Sequence, residues 1–288
     1  MRPLRSRVGW LLGVLALGGC GAAMRGAPAV RVAGVEAREG VTVHDVEYAG
    51  VDGATVKAYL VLPAAGGRVP AVVYTHPAPG SRATYLDEAV LLGRRGVASL
   101  VLSAPWSERA FWMPLFKDGA ADRARYSRVV EGLRRAVDVV AARPEVDAGR
   151  IGYVGHSFGA SFGGVLVAAD PRVRAAILIA GPPTFTSIAA LNNPALRGEA
   201  RDRYAASMAP LEPVRHVGRA APRPVLFQLP RQDELFPPDT LLRYSAAARP
   251  PTEVRWYDGD HALKTPAARE DRIEWLVRML GAGPRERQ

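Results

Sequence analysis

From residue 41 onward, short apolar runs alternate with stretches whose apolar residues recur at helical spacing. Residues 41–48 and 54–62 alternate apolar and polar side chains about Asp52-Gly53, which predicts an antiparallel hairpin. Continuous apolar runs at 70–75 and 97–102, with further strands at 150–154, 175–180, 224–229 and 253–257, predict a sheet covered on both faces. Helical spacing runs over 85–95, where Leu86, Ala89, Val90 and Leu92 precede Gly96, and over 126–142, 157–169, 240–248 and 266–280. Asp239 is placed to cap the helix at 240–248. Together these predict an α/β architecture: a mostly parallel, eight-stranded sheet with helices on both faces and the hairpin as its antiparallel N-terminal edge. Residues 182–222 break the rhythm with Pro182-Pro183 and Asn192-Asn193-Pro194, and read as a small cap inserted into one domain spanning 41–288.

The first forty residues follow a different pattern. Arg2, Arg5 and Arg7 precede an apolar stretch from residue 8 to 19, too short to span a bilayer, and then Cys20. A basic start, a short apolar core and small residues predict a secretory signal peptide over 1–19. Leu17-Gly18-Gly19-Cys20 resembles the bacterial lipobox, in which cleavage before the cysteine is accompanied by lipid attachment to its thiol. On that resemblance, residues 20–40, rich in Gly, Ala and Arg, form a lipidated tether. The protein would then be exported to the cell envelope and anchored to a membrane through Cys20.

Composition narrows the choices. The chain is 48% hydrophobic and 23% charged over 288 residues, which is enough to bury a sizeable core and excludes a mainly disordered chain. The net charge is +10, and all but three of the 38 basic residues are arginines. They are scattered, with no basic stripe interleaved with aromatics, so nucleic acid is not an expected partner. Cys20 is the single cysteine, which precludes an intrachain disulfide or a cysteine metal site.

Candidate chemistry centres on Gly155-His156-Ser157-Phe158-Gly159, which joins a predicted strand directly to a predicted helix. In a nucleophile elbow this spacing projects the serine hydroxyl from the carboxyl edge of the sheet, while the glycines leave room for the neighbouring backbone. A second Gly-x-Ser-x-Gly, around Ser161, falls one turn into the helix and reads as packing. A serine needs a base, and the base an orienting acid, in the chain order Ser, Asp or Glu, His. Of five histidines, His261 alone follows the last strand in a polar loop at the required sheet edge. The acid is expected after the preceding strand, in Gln232-Asp233-Glu234. Asp233 is chosen, with Glu234 left as its rival, while Asp258 and Asp260 are too near His261 to orient it.

At these residues the chain resembles the α/β-hydrolases, in particular the dienelactone hydrolase-like and acetyl xylan esterase-like branch. The resemblance covers about residues 41–281. It is carried by the stretch from Ala142 to Gly159, by Gln232 to Pro237 and by Gly259-Asp260-His261. It implies a serine hydrolase that cleaves carboxylic esters of small molecules or polysaccharides through an acyl-enzyme, with no metal or organic cofactor. The oxyanion hole implied is the backbone N–H of Ala78 with that of Phe158. The chain departs from the family here, because His76-Pro77-Ala78-Pro79-Gly80 stands where His-Gly is usual and its prolines cannot donate. His76 is expected to brace this loop. Trp106, Phe111 and Trp112 are expected to line the substrate pocket, pack the cap or dip into a lipid surface. A serine peptidase of the same fold and a non-catalytic envelope binding protein with a degenerate pocket are the rival functions.

Overall fold

The computed structural model describes Gly26, residues 28–64 and residues 67–282. The predicted signal peptide and Cys20 lie outside the described residues. Nine strands form one sheet: β1 (Val30–Arg38), β2 (Val41–Ala49), β3 (Thr55–Pro63), β4 (Val69–Thr75), β5 (Ala98–Leu102), β6 (Val146–His156), β7 (Val173–Ile179), β8 (Val225–Pro230) and β9 (Thr252–Tyr257). Their spatial order is β1-β2-β3-β5-β4-β6-β7-β8-β9. The β1–β2, β2–β3 and β3–β5 pairings are antiparallel, and all pairings from β5 across to β9 are parallel.

The continuous apolar runs are explained by the layers. Along β4, Val73 faces one hydrophobic cluster while Val72 and Tyr74 face the other, so both faces of a central strand are buried. Helices α3 (Gly119–Ala141) and α4 (Phe158–Ala169) supply the first cluster with Tyr126, Leu133, Val137, Phe158 and Phe162. Helices α1 (Leu86–Arg94) and α8 (Pro266–Met279) supply the second with Leu86, Leu92, Ile273 and Leu276. Each fully buried aliphatic side chain contributes ~1.5–3 kcal/mol, so these layers dominate the stability of the fold.

Three expectations are corrected. The sheet has nine strands and not eight, because β1 pairs outside the hairpin and occupies part of the stretch read as tether. Its side chains are exposed along nearly the whole strand, and Gly34 weakens its pattern, so no buried face betrays it. Helix α3 begins at Gly119, seven residues earlier than its spacing suggests, with Asp118 accepting from the amides of Ala120 and Ala121. Asp239 lies in the first turn of α7 (Pro238–Ala246) and does not cap it. The segment between β7 and β8 carries α5 (Phe185–Asn192) and α6 (Gly198–Met208), over the stretch read as a cap. No helix among the described residues is long and apolar enough to cross a membrane.

Candidate active site

The strand order brings the carboxyl ends of β4, β6, β8 and β9 to one edge of the sheet. Strand β6 ends at His156 and α4 begins at Phe158, leaving Ser157 alone to make the turn. Ser157 holds φ at 53°, a conformation that costs a non-glycine residue about 1–3 kcal/mol and persists only where its surroundings enforce it. Here its N–H donates to Ile179 of β7 at 2.8 Å, and its carbonyl accepts from Ser161 N–H at 3.0 Å. A Cβ on Gly155 would lie 2.4 Å from the Gly159 carbonyl oxygen, and one on Gly159 would lie 2.5 Å from Thr75 Oγ1. Gly155 is therefore required by close approach of backbone, and Gly159 by the Thr75 side chain packed against it. Ser161 is buried, and its hydroxyl donates to the Pro182 carbonyl.

The Ser157 hydroxyl makes no capping bond to its helix. It lies 2.8 Å from His261 Nε2, and His261 Nδ1 lies 2.8 Å from Asp233 Oδ2. A carboxylate can only accept, so Nδ1 carries the proton and Nε2 presents a lone pair to the serine O–H. The Asp233 side chain is fully buried, and its Oδ1 accepts from the amides of Leu235 and Phe236, both at 2.9 Å. Glu234 does something else: its Oε2 accepts the backbone N–H of His261 at 2.9 Å. Gln232 ties the two loops together, donating its N–H to the Gly259 carbonyl while its side-chain oxygen accepts the Gly259 N–H. Asp260 accepts from Ala262 and Asp258 pairs with Arg231, so neither faces the His261 ring nitrogens.

His76 braces the loop after β4. Its Nε2 accepts from Ala104 N–H at 3.0 Å and lies 2.9 Å from Ser107 Oγ, so Nδ1 donates to the Pro77 carbonyl at 2.7 Å. Burial lowers its pKa to about 4, so the ring is neutral near pH 7. The His76 carbonyl accepts from Trp106 Nε1, which fixes the loop on the side facing the elbow. The amides of Ala78 and Phe158 have no acceptor among the described residues; for Phe158 this follows from its place in the first turn of α4.

The aromatic loop after β5 carries the short helix α2 (Arg109–Trp112) and packs against Phe158. Trp106 and Phe111 are buried at 1% and 8% exposure, stacked or edge-on against Phe158, Phe162 and Tyr126. They pack into the core beside the elbow. Trp112 is partly exposed, with its ring 5.3 Å from that of Phe158, the neighbour of Ser157. His156 precedes the serine and so falls outside the chain order Ser, acid, His, yet its Nε2 lies 2.8 Å from the carbonyl oxygen of His261. Nothing in local sequence announces a contact across 105 residues. Among the described residues, no group of three or more His, Cys, Asp or Glu side chains could hold a metal ion.

The sequence model of the dienelactone hydrolase family matches residues 117–274. No curated protein sequence matches the chain. Its fold is similar to that of an acetyl xylan esterase from Paenibacillus sp. R4, with a TM-score of 0.74 and 23% identity over 87% of this chain and 88% of that one. Acetyl xylan esterase 1 from Thermoanaerobacterium sp. JW/SL YS485 superposes with a TM-score of 0.69 at 14% identity, covering 88% of each chain. A cold-adapted esterase from an Arctic intertidal metagenomic library gives 0.62 at 19% identity, over 86% of this chain and 97% of that one. At these identities the likeness is one of fold.

Proposed function

The chain belongs to the dienelactone hydrolase family, and on that footing we propose that it is a serine hydrolase cleaving carboxylic esters. One observation carries the reading: a serine on a strained elbow shares a 2.8 Å hydrogen bond with a histidine whose other nitrogen is held by a buried aspartate. Ser157 Oγ attacks the ester carbonyl as its proton passes to His261 Nε2, and Asp233 stabilises the imidazolium. The oxyanion is received by the amides of Ala78 and Phe158, which are free to donate; one such donor is worth a factor of ~100 or more in rate. Collapse expels the alcohol, which takes the proton from His261 and leaves an acyl-serine. Water, deprotonated by His261, then releases the acid and restores Ser157. Trp112 is assigned to the acyl-group side of the site, since it is the partly exposed aromatic beside Phe158.

The substrates proposed are small-molecule or polysaccharide esters, and the acetyl xylan esterases of similar fold make acetylated polysaccharide a natural member of a test panel. The lipobox-like sequence supports attachment of this activity to a membrane surface through Cys20. A panel of p-nitrophenyl esters of increasing chain length, with acetylated xylan, tests the function. The expected result is turnover that Ser157→Ala reduces by about 10³-fold or more. Turnover of the whole panel by that variant at the wild-type rate would overturn the reading.

A further inference from the structure

His261 is held at its ring by Asp233 and Ser157, but a loop residue must also be held by its main chain if the ring is to stay in register. We propose that His156 is a positioning residue that anchors the His261 main chain, and that Tyr85 fixes the tautomer in which it can do so. The inference rests on the reading of Ser157 and His261 as nucleophile and base.

The His156 ring is buried, at 2% exposure, with both nitrogens engaged. Nε2 lies 2.8 Å from the His261 carbonyl oxygen, which can only accept, so Nε2 bears the proton. Nδ1 is then an acceptor, and the Tyr85 hydroxyl 3.1 Å away is the donor. Without that donor, the tautomer with its proton on Nδ1 would leave two lone pairs facing each other at Nε2 and the carbonyl. Tyr85 is itself fixed. It is buried at the start of α1, its ring is 5.5 Å from that of Tyr74, and the Arg272 guanidinium lies 6.0 Å from its centre. Arg272 of α8 clamps Glu88 of α1 through contacts of 2.6, 3.0 and 3.2 Å. A continuous path therefore runs from the α1–α8 clamp through Tyr85 and His156 to the base.

Neutrality matters as much as reach. The His156 and His261 ring centres are 5.6 Å apart, and His261 becomes a cation during turnover. A second cation there would oppose proton uptake by His261. Burial, reinforced by the neighbouring His261, keeps His156 uncharged down to about pH 3. A buried, neutral, singly oriented donor meets both demands, which Lys or Arg at 156 would not.

The test uses the purified full chain, p-nitrophenyl acetate kinetics, the rate of labelling by a fluorophosphonate probe, and melting temperature. His156→Ala is expected to lower kcat about 30- to 100-fold with KM changed by less than about twofold, and to slow labelling in parallel, since small misplacement of a catalytic group costs rate on this scale. His156→Gln, which keeps a donor of similar reach, is expected to regain about tenfold of that loss. Tyr85→Phe is expected to lower kcat about 3- to 10-fold alone and to add nothing in the His156→Ala background, as required if it acts through the imidazole. Wild-type kcat in His156→Ala, no recovery in His156→Gln, or additive effects of the two changes would each overturn the proposal. If His156→Ala does not fold, His156→Phe, of similar shape but without a donor, takes its place with the same expected loss. Failure of the esterase reading is distinguishable, because it shows as undiminished turnover in Ser157→Ala.

Discussion

A histidine placed in an apolar layer couples folding to pH, and His156 isolates that effect. Its pKa is lowered from the ordinary 6.5 to about 3, first by burial and then by His261. Between those values the unfolded chain takes up a proton that the native protein refuses. Stability from this residue is therefore fully present above about pH 7 and is lost as pH falls below 6.5. Buried Asp122 and Glu212 act in the opposite sense, since burial raises their pKa and the native state holds their protons more tightly. Comparison of the wild type with His156→Gln cancels those shared contributions. In urea unfolding at pH 7 and pH 5, the variant is expected to lose about 2 kcal/mol less stability than the wild type between the two values. Equal losses in both proteins would mean that the buried imidazole does not titrate as its surroundings dictate. At this scale Ser157 and its glycines were legible because the elbow has a fixed local spacing. His156 was not, since its role exists only once β6 and the loop after β9 have met.

Among the elements, the contact of α1 with α8 is the most charged part of an otherwise apolar layer. Glu88 and Arg272 each keep 5% side-chain exposure, and Arg272 also donates to Gln228 Oε1 on β8 at 2.8 Å. A buried pair contributes little net stability, whereas removal of one partner strands the other at a cost of about 3–5 kcal/mol. Glu88→Gln is accordingly expected to lower unfolding free energy by about that amount, and Glu88→Leu/Arg272→Met to recover most of it, both measured in urea. A loss in the double variant equal to or larger than that in Glu88→Gln would contradict this account. The helices themselves were readable from apolar spacing: the prediction of 85–95 differs by a residue at each end from Leu86–Arg94. Their ionic contact was not readable, because the partners are 184 positions apart and each stands beside other charged residues, Asp87 next to Glu88 and Asp271 next to Arg272. Strand β1 escaped for the opposite reason, an edge position that requires no buried face.

For the whole molecule, parallel strand order does the work of assembly. It carries Ser157, Asp233 and His261 to one edge from loops after β6, β8 and β9, which is why their order along the sequence sufficed to nominate them. The choice between Asp233 and Glu234 needed geometry: adjacent carboxylates reach the same histidine, one at its ring and one at its amide. The aromatic loop was likewise ambiguous, since residues that fill a core and residues that line a pocket have the same composition. Burial assigns Trp106 and Phe111 to the core. The central claim is that this assembled edge makes one hydroxyl nucleophilic, and its most direct test is to react the protein with a fluorophosphonate and map the adduct by peptide mass spectrometry. The account predicts a single adduct on Ser157, with labelling slowed about 10³-fold or more by His261→Ala. An adduct on another serine such as Ser161, or labelling of Ser157 at the same rate without the His261 imidazole, would contradict it.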